Sequence, residues 1–465
     1  MNLHVTSIQT TLNAFELYQR IANREDSIFL DSSKADLPYG RYSIIGANPF
    51  LTMKYEQQKL WERVGNEPFV VCETQTHVYD YLKGKLAQYQ IDNPTNLPFV
   101  GGAIGYFSYD FGCREEQVAM TATEVVTVPD AYFVFYDNAI LVDHSTKEVF
   151  VTGLGIREDA QQSVDGIIAQ IANIPCERLC PNSSKSEPAP VFQSPFSSEA
   201  YQKTIERMRT YIREGHIYIA NLTHTFQSRF QNHPLLTYET LRKRNPAPFS
   251  AFLPLHGFSV LCSSPERFLK VTNGQVETRP IKGTIPRGST PEEDARNKKR
   301  LEASEKDKSE LLMIVDLERN DLSKVCKPGS VKVTELFQIE AFATVFHLVS
   351  TVVGTLDDSY TAVDCLKAAF PGGSITGAPK KRAMEIIDEL EATRRNLYTG
   401  CIGYFGFDGA ADFNIIIRSI LLKDETAYIG VGGGITWESE PKQEYEETIA
   451  KAMALFQSMD ADYLR

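Results

Sequence analysis

The pattern of apolar and polar residues along the chain predicts both strands and helices. Alternating apolar and polar positions, typical of strands, occur at 132–144, 147–153 and within 256–271. Apolar residues recur at helical spacing in 163–174, 198–215, 291–321, 361–370, 379–392 and 441–459. This order of segments predicts a fold that mixes α and β structure.

A stretch rich in proline and serine, residues 181–198, interrupts this pattern. It holds four prolines and six serines and has almost no apolar periodicity, a composition typical of linkers. We therefore predict a linker there, between an N-terminal domain at 1–180 and a C-terminal domain at 199–465.

One segment of the N-terminal half is echoed in the C-terminal half. Residues 102–110, GAIGYFSYD, and 400–408, GCIGYFGFD, share Gly, Ile, Gly, Tyr, Phe and Asp at the same spacing. The echo suggests that similar strands from the two halves pack into one body, with glycine where backbones approach closely. Two unrelated strands punctuated by glycine are the alternative.

Composition and charge narrow the class of protein. With 465 residues, 42% of them hydrophobic, the chain can bury a large core, and its net charge of −12 argues against nucleic-acid binding. It contains no apolar run of 18 residues and no export signal near residue 1, so we expect a cytoplasmic protein without a membrane span. The eight cysteines are dispersed, and the one close pair, Cys176 and Cys180, lacks the further ligands of a metal site.

Two residues of the segment 264–288 can carry covalent or acid–base chemistry. Lys282 lies in Pro-Ile-Lys-Gly-Thr, where we predict a tight turn, and Glu266 follows a proline in the same segment. A lysine in a poorly solvated pocket loses its proton readily and can act as nucleophile or base, and a nearby carboxylate can act as the matching acid. A surface lysine paired with a carboxylate is the alternative.

Acidic residues lie on one face of each of two predicted helices. Asp307 and Glu310 are three residues apart on the first, and Glu444, Glu447 and Lys451 share a face of the second. Like charges at this spacing repel unless a cation lies between them, and carboxylate oxygens suit Mg²⁺. A solvated acidic face is the alternative.

Glycine-rich segments and isolated basic residues point to an anionic ligand. Residues 371–380 lead into a helix and can present backbone N–H groups, but they lack the sequence of a nucleotide-binding P-loop, which favours a carboxylate ligand. Residues 430–435 offer a second close backbone approach. Arg418 lies in an apolar run and therefore needs an anionic partner. His347 is isolated in a similar run, where a core histidine with its hydrogen bonds satisfied is the commoner case. Together these features predict a site for a small carboxylate.

Several motifs in one order resemble the chorismate-utilising enzyme family. Over residues 200–460 they are SPERF, PIKGT, ELLMIVDLERNDL, HLVST, PGGSITGAP, GCIGYF, GVGGGI and EYEETIAKA, and FLDSS, GRYSIIGANP and GGAIGYFSYD precede them. The resemblance implies an α+β fold with two orthogonal, packed antiparallel sheets flanked by helices in α/β/β/α layers. It also implies that 1–180 is a domain like that of anthranilate synthase component I and that 199–465 is the chorismate-binding catalytic domain.

Residue 282 distinguishes the branches of this family. PIKGT, with Lys282, resembles the aminodeoxychorismate synthases, whereas the anthranilate synthases have alanine there. Isochorismate and salicylate synthases carry a lysine base where this chain has Ile219 or Ala220. The resemblance therefore implies amination of chorismate at C4, with anthranilate synthase component I as the alternative.

The resemblance also implies roles for individual residues. Lys282 would attack C2 of chorismate, Glu266 would supply a proton, and His347 would lie near the leaving hydroxyl. Mg²⁺ would be held by Glu310 and Glu447, with Glu444 and Asp307 in support. The residues that orient the substrate carboxylates would be Arg418, Lys451, Gly432, Gly433, Ser374 and Thr376. Ammonia would come from a separate glutamine amidotransferase subunit, because no cysteine here lies in the nucleophile turn of a glutaminase.

A second ligand is implied for the N-terminal part. Tryptophan-regulated relatives carry an LLES motif where this chain has Phe29-Leu30-Asp31-Ser32. The residues that would surround a bound tryptophan are Asp31, Ser32, Tyr42, Ser43, Pro246 and Phe249. The alternatives are a tryptophan that is bound as a structural element and a pocket that holds no ligand.

Overall fold

The computed structural model describes residues 2–21, 26–34, 39–72, 76–173, 189–342 and 345–463, and shows an α+β fold. The helices of this part of the chain are α1 (Ala14–Ile21), α2 (Val78–Gln88), α3 (Tyr109–Glu115), α4 (Ala160–Asn173), α5 (Ser198–Arg213), α6 (Pro234–Arg244), α7 (Pro291–Glu302), α8 (Glu305–Ser323), α9 (Ala362–Ala369), α10 (Lys380–Leu390) and α11 (Pro441–Ser458). A short 3₁₀ helix spans Gly373–Ile375. None of the helices in the described ranges is long and apolar enough to cross a membrane.

The strands of the same ranges have between two and 15 residues. They are β1 (His4–Ile8), β2 (Phe29–Asp31), β3 (Tyr42–Glu56), β4 (Lys59–Val64), β5 (Val70–Val71), β6 (Gly102–Phe107), β7 (Ala131–Asp143), β8 (Glu148–Gly153), β9 (Val191–Phe192), β10 (Ile219–Arg229), β11 (Phe249–Leu255), β12 (Phe258–Ser264), β13 (Arg267–Thr272), β14 (Gln275–Thr278), β15 (Ile281–Pro286), β16 (Lys332–Ala341), β17 (Val345–Thr355), β18 (Gly377–Ala378), β19 (Cys401–Gly406), β20 (Ala411–Ile415), β21 (Ser419–Lys423), β22 (Thr426–Ile435) and β23 (Asp462–Tyr463). The long strands β3 and β7 pair with each other along most of their length.

Two antiparallel arms extend from the pair formed by β3 and β7. The first arm runs β3, β2, β11, β12, β21, β22, β10 and β18, each strand hydrogen-bonded to the next. The second runs β7, β6, β19, β20, β13, β14, β17 and β16, and β15 also pairs with β17. The fold class predicted from the sequence is confirmed, and the two sheets are joined through the long strands.

The first arm is covered by apolar side chains on both faces. Ala251 and Leu253 of β11 lie in the same buried cluster as Phe405 of the second arm. Phe252, between them, lies in another cluster with apolar side chains of α1, α4, α6 and α11. Because successive side chains of a strand point to opposite faces, one face of the first arm packs on the second arm and the other on helices.

The echoed segments lie side by side. Strands β6 and β19 pair antiparallel, with Gly105 opposite Gly403. A Cβ atom at Gly105 would be 2.0 Å from the carbonyl oxygen of Tyr132, and one at Gly403 would be 2.0 Å from that of Asp412. Glycine is required at both positions because the neighbouring strand leaves no room for a side chain, as the echo suggested.

Some predicted boundaries differ from the observed ones. The helical pattern at 291–321 is broken into α7 and α8, because the hydroxyl of Ser304 accepts a hydrogen bond from the amide of Asp307 and caps a new helix. In the predicted linker, residues 181–188 lie outside the described residues, but β9 and the start of α5 fall within the remainder. Strand β2 pairs with β11, and β6 pairs with β19, so the two predicted domains share hydrogen-bonded strands. The boundary between these domains stays a prediction.

The cysteines of the described ranges are free thiols. Five of them, Cys113, Cys262, Cys326, Cys365 and Cys401, are buried, and Cys72 is partly buried. Cys176 and Cys180, the close pair, lie outside the described residues.

Candidate active site

A cavity of about 210 Å³ lies where the last strands of the two arms meet, beside α8 and α11. Strands β15 and β17 contribute to it from the second arm, and β10 and β22 from the first. Twelve of the thirteen residues predicted to bind substrate or metal or to act in catalysis line it: Glu266, Lys282, Asp307, Glu310, His347, Ser374, Arg418, Gly432, Gly433, Glu444, Glu447 and Lys451. The fold thus brings together residues that are far apart in the sequence.

Lys282 lies in a strand, not in the tight turn that the sequence suggested. Its strand, β15, pairs with β17, and the register shifts between Lys282 and Thr284. Gly283, inside this bulge, has a φ of +74°, which favours glycine. The half-buried Lys282 donates a hydrogen bond from Nζ to the carbonyl oxygen of Ser374 at 3.0 Å. The bulge and this hydrogen bond hold the amine at the cavity wall.

Glu266 is a buried acid at the same wall. Glu266 is 5% exposed, and its backbone oxygen accepts a hydrogen bond from the amide of Ile415 at 3.1 Å. Burial raises the pKa of the carboxyl group, and the Ser374 hydroxyl and the positive charge of Lys282 only partly oppose this rise. A buried carboxyl group with a raised pKa can hold a proton for transfer to a substrate.

Arg418 presents a cation to the cavity. It lies between β20 and β21 with a φ of +51°, and its carbonyl oxygen accepts a hydrogen bond from the amide of Ser263. Burial lowers the pKa of its guanidinium group. Within the described ranges the side chain of Arg418 forms no ion pair, so it can bind an anionic ligand in the cavity.

His347 has one bonded and one unpaired ring nitrogen. Nδ1 lies 2.9 Å from the hydroxyl oxygen of Thr284, whereas the buried Nε2 has no hydrogen-bond partner among the described residues. Burial lowers the pKa of the imidazole to about 3, so the ring is neutral. A core histidine with both nitrogens satisfied, the commoner alternative, does not describe this residue.

Two buried carboxylates face a lysine ammonium group. Nζ of Lys306 lies 3.9 Å from an oxygen of Glu310 and 3.4 Å from one of Glu444. Burial raises the pKa of Glu310 to about 7. The hydroxyl of Ser439 donates to Glu444 at 2.7 Å, which fixes that carboxylate. The side chain of Lys306, which is 40% exposed, thus places a positive charge between the two acids, and Lys282 adds a second positive charge near Glu310.

Lys451 links α11 to the glycine-rich segment. Its Nζ donates to the carbonyl oxygen of Gly432 at 2.8 Å and forms an ion pair with Glu447 at 2.8 Å. This lysine holds the pKa of the exposed Glu447 below its usual value. The segment 430–435 forms part of strand β22.

The acidic residues of the cavity fit a divalent cation by the chemistry of their carboxylate oxygens. Lys306 shows that a positive charge is accommodated between Glu310 and Glu444, and a Cβ atom at Gly433 would lie 3.5 Å from Glu444 and 3.9 Å from Glu447. Gly433 therefore keeps open the space beside these carboxylates. No cluster of three or more metal-ligating side chains is already drawn together in the described part of the chain, so the lysine would have to give way to a metal ion.

The lining of the cavity differs from the predicted site in one residue that is missing and in several that are additional. Thr376 does not line the cavity, since its hydroxyl donates to the carbonyl oxygen of Gly372 at 2.9 Å. Residues that the sequence did not single out but that line the cavity include Asn221, Thr284, Lys306, Tyr398 and Gly434. A Cβ atom at Gly430 would lie 2.2 Å from the ring of Tyr398, so this glycine makes room for an aromatic ring. No motif or spacing in the sequence marked Tyr398.

Four of the six residues predicted to bind tryptophan line a second, larger cavity, of about 880 Å³. Asp31, Ser32, Tyr42 and Phe249 line it, whereas Ser43 and Pro246 do not. The carboxylate of Asp31 accepts hydrogen bonds from Arg242 at 2.7 Å and from Ser43 at 3.2 Å. Its charge is therefore already compensated within the protein.

Comparison with known proteins identifies the family. The model of the chorismate binding enzyme family matches residues 25–457. Aminodeoxychorismate synthase component 1 of Salmonella typhimurium is 39% identical over 93% of each chain, and anthranilate synthase component 1 of Acetivibrio thermocellus is 36% identical over 96% of this chain and 92% of its own. The crystal structure of anthranilate synthase component I from Streptococcus pneumoniae superposes with a TM-score of 0.78 at 31% identity, covering 90% of this chain and 93% of that one. The chain belongs to the chorismate binding enzyme family.

Proposed function

We propose that this protein is component 1 of an aminodeoxychorismate synthase, which converts chorismate and ammonia into 4-amino-4-deoxychorismate for the synthesis of 4-aminobenzoate and folate. The observation that carries the proposal is the amine of Lys282, held against Ser374 in the same cavity as Glu266 and the unpaired Arg418. The similarity to component 1 of aminodeoxychorismate synthases over nearly the whole chain supports it.

The cavity has groups suited to the two carboxylates of chorismate. Arg418 offers a guanidinium group without a carboxylate partner, and Lys451 offers an ammonium group beside Gly432. These cations offset the negative charge of the substrate in a protein whose own net charge is −12. They would orient the ring with its C2 atom toward Lys282.

Amination then proceeds in two displacements. The amine form of Lys282 forms a bond to C2, the ring double bonds shift toward C4 as the C4–O bond breaks, and Glu266 gives its proton to the departing hydroxyl, which leaves as water. Ammonia next forms a bond to C4, the ring double bonds shift back, and the bond between C2 and the lysine nitrogen breaks. The new amino group returns a proton to Glu266, so both side chains end as they began. The free Nε2 atom of the neutral His347 can donate a hydrogen bond to the leaving hydroxyl.

We also propose that Glu310 and Glu447, supported by Glu444 and Asp307, hold Mg²⁺. A bound Mg²⁺ would neutralise a substrate carboxylate and fix its position. The raised pKa of Glu310 supports this proposal, because a buried acid of this kind lacks a sufficient positive partner in the protein alone.

The partner and location follow from the same proposal. A separate glutamine amidotransferase subunit would release the ammonia, and the pair would act in the cytoplasm. The second cavity would hold tryptophan against Tyr42 and Phe249. A mass spectrum of the denatured purified protein that contains no bound amino acid would contradict this last assignment.

Product analysis tests the function directly. The purified chain is incubated with chorismate, MgCl₂ and an ammonium salt, with and without an aminodeoxychorismate lyase, and the products are separated and weighed by mass spectrometry. We expect aminodeoxychorismate, which the lyase converts into 4-aminobenzoate. Anthranilate as the product would overturn the proposal and show that Lys282 does not decide where the amino group is added.

A further inference from the structure

A buried arginine lies behind one wall of the candidate active site. Arg395 is 4% exposed and does not line the active-site cavity, whereas Asn221 and Ile375 do line it. The Nη1 atom of Arg395 donates a hydrogen bond to the carbonyl oxygen of Ile375 at 2.7 Å, and its Nη2 atom donates one to that of Asn221 at 2.5 Å. Arg395 thus ties the 3₁₀ helix Gly373–Ile375 to strand β10 from outside the cavity.

The guanidinium group of Arg395 is held on its other sides as well. Its Nε and Nη2 atoms donate to the carboxylate of Glu391, at the end of α10, at 3.0 and 2.7 Å. The same carboxylate accepts a hydrogen bond from the backbone amide of Thr223 in β10 at 2.8 Å. The ring of Tyr109, from α3 in the N-terminal half, lies 4.5 Å from the guanidinium carbon, measured to the ring centroid. Because all three nitrogens have acceptors and an aromatic ring packs on the group, the side chain is fixed in one orientation.

The carbonyl group that Arg395 holds is next in the chain to the one that holds Lys282. The carbonyl oxygen of Ser374 accepts the hydrogen bond from Nζ of Lys282, and Ile375 is the following residue. The last carbonyl groups of a helix have no partner within the helix, so their directions depend on donors from outside. For Ile375 these donors are Arg395 and the side-chain amide of Asn221, at 3.3 Å. The direction of the Ser374 carbonyl, and with it the place of the amine, therefore depends on these contacts.

We infer that Arg395 is a positioning residue for the amination, which sets the place of the Lys282 amine through Ile375 and Ser374; this inference rests on the proposed function. Attack on C2 requires the nitrogen to lie about 3–3.5 Å from the carbon in a defined direction, and a small misplacement slows such a step strongly. Stability alone does not account for the arginine, because a buried ion pair such as that of Arg395 with Glu391 is often no more stabilising than apolar side chains of similar size. A planar group with donors on three nitrogens reaches both carbonyl groups and the carboxylate at once, which a lysine cannot do.

Four variants test this role. Arg395→Met removes the guanidinium group, and Arg395→Lys keeps the charge but not the planar fork. Because Arg395→Met leaves Glu391 buried without its cation and can fail to fold, the double variant Arg395→Met/Glu391→Gln removes both charges and keeps an acceptor for the amide of Thr223. Arg63→Lys is the matched control, since Arg63 pairs with the buried Asp26 in the N-terminal half and does not line the active-site cavity.

Three measurements are made on each variant. Thermal unfolding gives the folded fraction, steady-state kinetics with an ammonium salt give kcat and the KM for chorismate, and mass spectrometry of samples quenched without ammonia gives the rate at which the adduct on Lys282 forms. We expect Arg395→Met and the double variant to lower both kcat and the rate of adduct formation by about 10²-fold. The KM for chorismate should stay near that of the wild type, because Arg418 and Lys451 still bind its carboxylates. Arg395→Lys should recover part of the rate.

A purely structural role of the arginine gives a different result. The variants would then unfold at lower temperature, but the folded fraction would form the adduct on Lys282 at the wild-type rate, and this outcome would overturn the inference. An equal loss of rate in Arg63→Lys would overturn it as well, because any disturbed buried arginine would then have the same effect. The wild type tests the proposed function separately: if it forms neither the adduct nor aminodeoxychorismate, that function is refuted whatever the variants do.

Discussion

The ammonium group of Lys282 donates a hydrogen bond to the backbone carbonyl of Ser374, with 3.0 Å between Nζ and O. The hydroxyl of the same serine lowers the pKa of the Glu266 carboxyl group, which burial raises. One residue of the 3₁₀ helix Gly373–Ile375 therefore holds the proposed nucleophile through its backbone and adjusts the pKa of the proposed acid through its side chain. The two contacts can be altered separately.

Replacing the lysine tests covalent catalysis. We expect Lys282→Ala to fold normally, because the lysine is only half-buried, but to lose normal turnover since no amine can attack C2. Mass spectrometry of wild-type protein quenched with chorismate in the absence of ammonia should show a covalent adduct on the peptide that contains Lys282. Unchanged formation of aminodeoxychorismate by Lys282→Ala would remove this residue from the chemistry.

Ser374→Ala should change the pH dependence without removing the lysine contact. The serine hydroxyl lowers the pKa of Glu266, so its loss raises this pKa further. An acid catalyst must be protonated, and activity falls as pH rises through its pKa; the descending limb of the kcat/KM profile should therefore move to higher pH. Glu266→Gln, which has no proton to donate, should lower kcat by about 10²–10⁴-fold at every pH. If the descending limb of the kcat/KM profile does not move in Ser374→Ala, that limb reports the titration of a group other than Glu266.

The acidic site predicts opposite effects of two substitutions on Mg²⁺ affinity. Lys306→Met removes the ammonium group that lies between Glu310 and Glu444, so we expect tighter binding of Mg²⁺. Glu444→Gln removes a negative charge and should weaken it. Isothermal titration with MgCl₂ measures both, and chelation of the metal should abolish activity of the wild type. Weaker binding by Lys306→Met would show that the lysine does not compete with the cation.

The pairing of β6 with β19 makes Gly105 sensitive to any side chain. Gly105→Ala places a Cβ atom against the carbonyl of Tyr132, and we expect it to lower the free energy of unfolding by about 1–3 kcal/mol or more. Gly84→Ala is the control, since Gly84 lies in α2 with open space around it and should gain about 0.5–1 kcal/mol. Denaturant unfolding compares the two. Similar stabilities for both variants would mean that the strands separate easily.

Asp110 should make stability depend on pH outside the active site. Burial raises the pKa of this carboxyl group to about 7, while its side chain accepts a hydrogen bond from the amide of Asn396. The folded protein therefore holds a proton that the unfolded chain has lost between about pH 4 and 7, so the free energy of unfolding falls as pH rises through this range. In Asp110→Asn this fall, at most about 4 kcal/mol, should be missing. Parallel stability curves for variant and wild type would contradict the assignment.

The sequence by itself determined the mixture of strands and helices, the similarity of 102–110 to 400–408, and the motifs that mark the family. These are local properties, because side-chain periodicity selects the type of element and a motif is a short run of residue types. The sequence also named most of the residues of the candidate site, some because charged residues stand in unusual surroundings and the others because they lie in motifs that resemble the family.

Only the tertiary structure decided which of those residues meet. Lys282 and Ser374 lie on separate segments and meet through a hydrogen bond, and Glu266 lines the same cavity, because the fold brings these segments together. The bulge at Gly283 depends on the register between β15 and β17, and the position of Tyr398 depends on the missing side chain of Gly430. Such relations arise from pairing and packing between distant segments, and neither periodicity nor spacing within one segment encodes them.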